Sequence, residues 1–329
     1  MNCVFFKQIV PCAQLKVSLG LNDLQNTLKK EFCLSGVSLH IGKVVNMKVR
    51  PAPANYGVKF LRTDVDGKDP FVRGIYDAVS DTKFSTKISN LDGVSVQTIE
   101  HLMAALAGTG VHNALIEVDG PELPILDGSS REFVKKILMV GKRVLQEPVS
   151  GFRVTKEIMV IDGAAWAKFT PSDSLSIDFC IDYSDTVIGC QSLSLLMKNG
   201  TFVRELCDSR TFCRESEISM LRSQGLALGG NLHNAIVLEP TKIQNHGGLR
   251  RADECVRHKM LDAMGDLSLA GGPVIGAFSS DRGGHTLTNK LLRAAFLDQD
   301  NMLPIQIWKH HATQLPGFRL READFRNLD

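Results

Sequence analysis

Two distant segments, residues 98–108 and 256–266, constrain the fold most, because their polar side chains form a recognisable chemical site only if the fold brings them together. Both segments have compositions typical of helices. His258 and Asp262 lie four residues apart, so both side chains point from one helical face. His101, from the first segment, would complete a set of two histidines and one carboxylate. Three such ligands with one open position are typical of a catalytic zinc site, so the pattern predicts metal-assisted hydrolysis.

Each part of this pattern also has a simpler explanation. A histidine and an aspartate at helical spacing are usually a surface pair, and His101 alone is more often a hydrogen-bonded core residue. Asp266 adds a third polar group one turn further along the second helix. Glu100 precedes His101 and could be a base for a metal-bound water. The order Glu-His, with Gln97 in place of a histidine, disfavours the two common zinc-peptidase motifs.

A glycine-rich loop, residues 281–285, places His285 at the start of a predicted helix. It lacks the Gly-Lys-Ser/Thr ending of a phosphate-binding loop. His285 could act as a general acid if a carboxylate such as Asp266 raises its pKa. The alternative is simple capping of the helix.

Composition excludes several classes of protein. The 329 residues suffice for two domains, and 43% hydrophobic residues can form cores. A net charge of +2 disfavours nucleic acid as the main partner. No apolar run reaches the roughly 18 residues of a membrane span. The 8 cysteines form no C-x-x-C pair, which favours buried thiols in a reducing compartment.

The order of predicted strands and helices indicates an α+β fold with two similar domains, each a β-sheet layered against helices. Helices are predicted near 209–224 and 251–269, and a capping box at Ser129 and Glu132 predicts the start of another. The expected divisions are a loosely ordered extension, an N-terminal domain, a C-terminal domain and a peripheral tail. Their bounds are 1–22, 23–147, 148–312 and 313–329.

An apolar insert, residues 213–240, lies within the second domain. Its leucines and isoleucines, Ile218 among them, are interrupted by Gly229 and Gly230. The usual meaning of such a segment is core. A helix, a tight glycine turn and a strand could also form the wall of an apolar channel.

Six motifs in order, spanning about residues 25–297, resemble those of the UDP-3-O-acyl-N-acetylglucosamine deacetylases. The motifs are residues 35–42, 98–108, 123–128, 209–212, 257–267 and 284–292. No single one is specific, but all six in register are. The resemblance implies a zinc amidase of lipid A synthesis, with its active site in the cleft between two similar α+β domains.

The resemblance also implies a role for each site residue. Zinc would be held by His101, His258 and Asp262. Glu100 would be the base and His285 the acid, with Asp266 orienting His285. Further substrate and carbonyl contacts would come from Thr211, Lys259, His40, Phe212, Ile218, Gly230 and Tyr183. Among these, Thr211 and Lys259 would lie near the reacting carbonyl, Phe212 and the insert would line an acyl passage, and Tyr183 would stack on uracil.

The implied partner is a small amphipathic substrate, a UDP-linked acyl glucosamine, taken from a membrane surface or a carrier protein. We expect a monomer in the bacterial cytoplasm with peripheral membrane contact at most. Organelle targeting by the N-terminal extension is less favoured, because residues 1–22 contain no arginine and little serine. Two other functions remain open: a lipid- or nucleotide-binding protein with a structural metal, and a different amidohydrolase with the same zinc ligands.

Overall fold

The structure, a computed structural model, describes residues 24–307, 312–320 and 323–326. The predicted extension, residues 1–22, lies outside them. The helices are α1 (Glu100–Thr109), α2 (Arg131–Val140), α3 (Glu215–Ser223), α4 (Glu254–Ser268), α5 (His285–Leu297) and α6 (Ala323–Arg326). The described residues also contain a 3₁₀ turn, Tyr76–Ala78, and a π-helical segment, Phe202–Leu206. None of these helices is long and apolar enough to cross a membrane.

The strands fall into two series. The first comprises β1 (Leu24–Leu28), β2 (Phe32–Val37), β3 (Val44–Pro51), β4 (Val58–Arg62), β5 (Phe71–Arg73), β6 (Val79–Asp81), β7 (Lys87–Ser89), β8 (Ser95–Gln97), β9 (Ala114–Val118) and β10 (Lys142–Pro148). The second comprises β11 (Ser150–Val154), β12 (Ile158–Asp162), β13 (Ala165–Thr170), β14 (Ser176–Tyr183), β15 (Gly189–Leu196), β16 (Phe212–Arg214), β17 (Ile236–Leu238), β18 (Val274–Ile275), β19 (Ala277–Asp281) and β20 (Met302–Gln306).

The two five-stranded sheets have the same topology. Their strand orders are β2-β3-β9-β4-β5 and β12-β13-β19-β14-β15. In each sheet only the pair between the third and fourth strands is parallel, β4 with β9 and β14 with β19. A helix precedes and another follows the third strand of each, α1 and α2 around β9 and α4 and α5 around β19. The expectation of two similar α+β units is confirmed.

Helices α1 and α4 pack against each other. Apolar side chains are buried around most of α1, which suits a helix enclosed on several sides. The approach is closest at Gly265, where an added Cβ would lie 2.1 Å from the carbonyl oxygen of Glu100. Glycine at this position therefore lets the two backbones meet.

Two local predictions from the sequence are wrong. Helix α2 follows Ser130, and the reciprocal capping box of Ser129 and Glu132 does not form. The Ser129 hydroxyl accepts the Arg131 N–H at 3.1 Å, but the Ser129 N–H donates to Asp127 and not to Glu132. The helix predicted over 209–224 begins only at Glu215, since Phe212–Arg214 is extended and pairs in parallel with Ile236–Leu238.

Candidate metal centre and active site

Three side chains from the two central helices form a buried cluster. His101 projects from α1, and His258 and Asp262 from α4. One candidate ligand atom from each residue lies within 4.8 Å of the others. The Oδ1 atom of Asp262 is 3.5 Å from Nε2 of His101 and 3.3 Å from Nε2 of His258. The structure thus brings together the three residues predicted as metal ligands.

The chemistry of this cluster fits a divalent cation. Oδ1 of Asp262 is buried and has no hydrogen-bond partner among the described residues. Nδ1 of His258 lies 3.0 Å from the Ser209 carbonyl oxygen, to which it can donate, leaving Nε2 with a lone pair facing the cluster. Burial lowers the pKa of His258 to about 3, so the ring is neutral, as a ligand must be. A cation would satisfy the unpaired carboxylate oxygen.

Lys259 holds the second oxygen of the same carboxylate. Its Nζ donates to Oδ2 of Asp262 at 2.9 Å. Burial opposes ionisation of Asp262, but its neighbours, among them the Lys259 ammonium, hold its pKa well below the usual range. Burial likewise lowers the pKa of Lys259, but the carboxylate outweighs it and the net pKa is raised. Lys259 therefore keeps Asp262 ionised and leaves Oδ1 free.

A second group of titratable residues lies beside the cluster. Nδ1 of His285 is 2.8 Å from Oδ2 of Asp266, and its Nε2 is 4.0 Å from Oε1 of Glu100. Burial lowers the pKa of His285, but the charge and hydrogen bond of Asp266 raise it more, to about 9. Burial raises the pKa of Glu100. The arrangement offers a protonated imidazole and a proton-accepting carboxylate at one place.

Sequence reasoning missed Thr86, which connects these groups. Its backbone N–H donates to Oε2 of Glu100 at 3.0 Å, and its hydroxyl donates to Oδ1 of Asp266 at 2.6 Å. The same hydroxyl is 3.2 Å from Nδ1 of His285. Thr86 thus fixes the orientation of the carboxylates that face His285. No pattern in the sequence marks this residue.

Sequence reasoning also missed Glu122, which holds the segment around His40. Its buried carboxylate accepts from the backbone N–H groups of His40 and Ile41, both at 2.9 Å, and from the Thr98 hydroxyl at 2.9 Å. Both ring nitrogens of His40 are buried without a hydrogen-bond partner in the described part of the chain. Burial lowers the pKa of His40, so its ring is neutral.

Aromatic residues of the second half extend from the cluster. The ring centroid of Phe212 is 6.1 Å from that of His258 and 5.2 Å from that of Tyr183. The Arg214 guanidinium lies over the Tyr183 ring at 4.1 Å. Thr211 directly precedes Phe212, and its N–H donates to the Gly128 carbonyl at 2.8 Å. Together, these side chains form one continuous wall of the second half next to His258; its members are Thr211, Phe212, Tyr183 and Arg214.

The remaining predicted substrate residues lie in the apolar insert. Ile218 is half-buried on α3. Gly230 lies in the turn that follows, where an added Cβ would be 3.5 Å from the Leu39 side chain. The Leu228 N–H in this turn donates to the His40 carbonyl at 3.1 Å. The insert of the second half therefore contacts the His40 segment of the first, beside the candidate site.

The class is defined by two histidines, an ionised carboxylate with an unpaired oxygen and a neighbouring buried glutamate: the site is typical of a metal-dependent hydrolase. A family described as UDP-3-O-acyl N-acetylglycosamine deacetylase matches residues 25–296. The chain belongs to this family.

Curated relatives carry the name UDP-3-O-acyl-N-acetylglucosamine deacetylase. The chain is 45% identical to the Pasteurella multocida protein over 278 residues, which cover 84% of this chain and 91% of the relative. It is 44% identical to the Phenylobacterium zucineum protein over 270 residues, 82% of this chain and 92% of the relative. It is 40% identical to the Syntrophus aciditrophicus protein over 277 residues, 84% of this chain and 87% of the relative.

Proposed function

We propose that this protein hydrolyses the N-acetyl group of UDP-3-O-acyl-N-acetylglucosamine, releasing acetate and UDP-3-O-acyl-glucosamine for lipid A biosynthesis. The names of its relatives support the substrate. The observation that carries the chemistry is the unpaired Oδ1 of buried Asp262, which faces Nε2 of both His101 and His258. A hydrolytic metal site requires such a ligand set beside a base.

The proposed ligands are His101, His258 and Asp262, and the proposed ion is Zn²⁺. Two imidazoles and one carboxylate are a ligand set that zinc takes in catalytic sites. When bound, zinc supplies Lewis-acid polarisation of the acetyl carbonyl and lowers the pKa of water at the site. Lys259 contributes by neutralising the other oxygen of Asp262, which restricts that carboxylate to one free oxygen.

Proton transfer falls to Glu100 and His285. The Glu100 carboxylate takes a proton from water as the oxygen attacks the carbonyl carbon. The Thr86 N–H holds Oε2, so Oε1 is the accepting atom on the side of His285. The C–N bond then breaks, its electron pair stays on nitrogen, and that nitrogen takes a proton from Nε2 of His285. Each positioned acid or base contributes about 10²–10⁴ in rate.

Thr211 and Lys259 are proposed to stabilise the negative charge that develops on the carbonyl oxygen. The Thr211 hydroxyl can donate a hydrogen bond, and its backbone is fixed by Gly128 and by Ile236, whose N–H donates to the Thr211 carbonyl at 2.8 Å. The Lys259 ammonium is charged and partly buried, and it lies 5.5 Å from the centre of the Phe212 ring. Preorganised donors of this kind contribute about 3–4 kcal/mol each in other acyl-transfer enzymes.

The rest of the substrate is proposed to contact the second-half wall. Phe212, Ile218 and Gly230 would line the acyl chain, and His40 would close the site from the first half. Each buried methylene contributes about 0.8 kcal/mol, so the chain supplies much of the binding energy. Uracil would stack on the face of Tyr183 that Arg214 leaves free.

The test is acetate release from the UDP-linked acyl sugar, measured with and without a zinc chelator. We expect chelation to abolish turnover and stoichiometric Zn²⁺ to restore it. Glu100→Gln should keep zinc and lose about 10²–10⁴ in kcat. The matched control is Glu132→Gln on α2, which should leave turnover unchanged.

Each alternative function predicts a different result. A binding protein with a structural metal would release no acetate from any substrate. A different amidohydrolase would act equally on simple N-acetyl sugars that lack the acyl chain. Turnover that persists without metal, or in Glu100→Gln, would contradict the proposed chemistry itself.

A further inference from the structure

A cavity of about 770 Å³ lies across α1 and α4 from the metal cluster. Met103 follows His101 by two residues, Met264 follows Asp262 by two residues, and both methionines line the cavity. Two residues correspond to a rotation of roughly 200° around an α-helix, so cavity and cluster occupy opposite faces of the same helices. Small-molecule sites have volumes of about 300–1,000 Å³. The cavity is large enough for a ligand and is separate from the active site.

The charged side chains that line the cavity are all positive. Its described residues include cationic side chains and no carboxylate; the cations are Lys59, Arg73, Lys142 and Arg319. Arg73 is paired with Asp77 at 3.3 Å. In the described part of the chain, the other three cations make no ion pair, and two of them lie over aromatic rings. A cavity whose charged lining residues are all cations concentrates anions.

Lys142 is the cation built most firmly into this wall. It begins β10, and its ammonium donates to the Thr109 carbonyl at the end of α1. Burial lowers the pKa of Lys142 to about 8. Burial and the nearby Lys142 charge lower the pKa of His112 to about 4, and Nδ1 of that ring accepts the Asn26 N–H at 2.9 Å. This end of the cavity therefore holds a cation without a counter-charge, next to a neutral imidazole.

The remainder of the wall is largely apolar. Besides the two methionines, the lining side chains include Leu106, Leu175, Leu267, Val274 and Leu315. A cationic end joined to an apolar interior matches a ligand with an anionic head and a hydrocarbon tail. We propose that this cavity binds a single-chain anionic amphiphile, with its carboxylate or phosphate at Lys142 and its alkyl chain along Met103 and Met264.

Charge complementarity favours this occupant over the chain's own N-terminal segment. Residues 1–23 contain Lys7 and Lys16 against a single acid, Asp23, and residues 308–311 contain a lysine and two histidines. Neither segment supplies the negative charge that the wall lacks. An anionic amphiphile supplies it and buries apolar surface at the same time.

The experiment uses dodecanoate and dodecyl phosphate, each carrying a photoreactive diazirine in the chain, and dodecanol with the same label. Cross-links on the full-length zinc protein are mapped by mass spectrometry. We expect both anions to label peptides that contain Met103 or Met264, and dodecanol to label them at least ten-fold less. Labelling by only one anion would identify the head group as carboxylate or phosphate.

Two variants separate loss of binding from loss of folding. Lys142→Met should reduce labelling about ten-fold, and Lys135→Met, an exposed lysine on α2, should not. Ala107→Phe keeps every charge, fills the cavity from α1 and should also reduce labelling. Far-ultraviolet circular dichroism checks that each variant is folded.

Three results would overturn the proposal. Labelling confined to residues 213–238 would place the alkyl chain in the acyl passage alone. Equal labelling by dodecanol would remove the role of the anionic head. Undiminished labelling in both Lys142→Met and Ala107→Phe would show that the ligand contacts neither end of this cavity.

Discussion

At the scale of single residues, the pair formed by His285 and Asp266 controls the proposed proton delivery. The 2.8 Å contact to Asp266 raises the pKa of His285 to about 9 against the opposing effect of burial. A general acid must be protonated, so kcat/KM falls as pH rises through this pKa. Without the Asp266 charge, only the charges of Glu100 and Asp262 would oppose the effect of burial, so the pKa would fall.

We therefore predict that Asp266→Asn moves the basic limb of the kcat/KM profile to lower pH. Loss of an adjacent opposite charge corresponds to a shift of about 1–3 pH units. Asp64→Asn, which removes a carboxylate paired with Arg62 in the first sheet, is the control and should leave the limb in place. If the basic limb of Asp266→Asn stays at its wild-type pH, a group other than His285 accounts for that limb.

Glu122 illustrates a residue that acts through backbone groups. Its carboxylate accepts hydrogen bonds from the segment that carries His40 and from Thr98, two residues before α1. Glu122→Gln replaces one accepting oxygen by an NH₂ group and removes the negative charge, so the hydrogen bonds from these donors are weakened or lost. We predict a loss of about 1–3 kcal/mol in the free energy of unfolding, measured by urea denaturation.

The matched control is Glu117→Gln, whose carboxylate pairs with Arg50 at an exposed position. Water replaces that partner readily, so its effect on unfolding should be much smaller. Equal losses in Glu117→Gln and Glu122→Gln would show that the backbone contacts of Glu122 add nothing specific.

The candidate ligands could be predicted because spacing relates them. His258 and Asp262 share a helical face by their separation alone, and Glu100 adjoins His101. Thr86 and Glu122 have no such relation to the residues they hold. Thr86 contacts Asp266, 180 residues away, and Glu122 contacts His40, 82 residues away. Only the tertiary fold creates these pairs.

At the scale of elements, the contact between α1 and α4 determines how the ligands meet. A Cβ at Gly265 would lie 2.1 Å from the Glu100 carbonyl oxygen, which is backbone and cannot rotate away. Gly265→Ala gains about 1 kcal/mol of helix propensity. The clash outweighs this gain, since overpacking usually costs about 1–3 kcal/mol and here forces two helices apart.

We predict that Gly265→Ala weakens zinc binding as well as stability, measured by competition with a fluorescent zinc chelator. Gly108→Ala is the comparison, because its Cβ would lie 2.1 Å from the buried Phe202 ring and would not meet the backbone of α4 first. Gly108→Ala should therefore destabilise the protein and leave zinc affinity close to that of the wild type. Unchanged zinc affinity in Gly265→Ala would show that the cluster tolerates separation of the helices.

The existence of helices was easier to predict than where they begin. Hydrophobic periodicity indicated α4 and α5, and the structure contains both. The start of α3 was wrong because Phe212–Arg214 is taken up by pairing with a distant strand, Ile236–Leu238. The capping box was wrong because Asp127 accepts the Ser129 N–H that Glu132 was expected to accept. Both errors arise from partners that local sequence does not specify.

At the scale of the whole molecule, the repeated sheet topology places the cluster between two halves. α1 belongs to the half containing the first five-stranded sheet, and α4 to the half containing the second. His101 comes from one half, and His258 and Asp262 come from the other. A bound metal ion would therefore cross-link the two halves, in addition to the apolar contacts between the helices.

This arrangement predicts that zinc stabilises the whole protein against unfolding. A ligand that binds only the folded state adds about 2.7 kcal/mol at 100 times its Kd and about 4.1 kcal/mol at 1,000 times. Chelation should therefore lower the free energy of unfolding by this amount and shift the urea midpoint down accordingly. Part of this loss is the cost of leaving the buried Asp262 Oδ1 unpaired. His101→Ala should abolish the difference between the urea midpoints measured with zinc and with chelator, because the first half then contributes no ligand. Glu100→Gln should retain the difference, since Glu100 is proposed to act on the proton and not on the metal. Equal midpoints with zinc and with chelator in the wild type would mean that the two halves are held by helix packing alone.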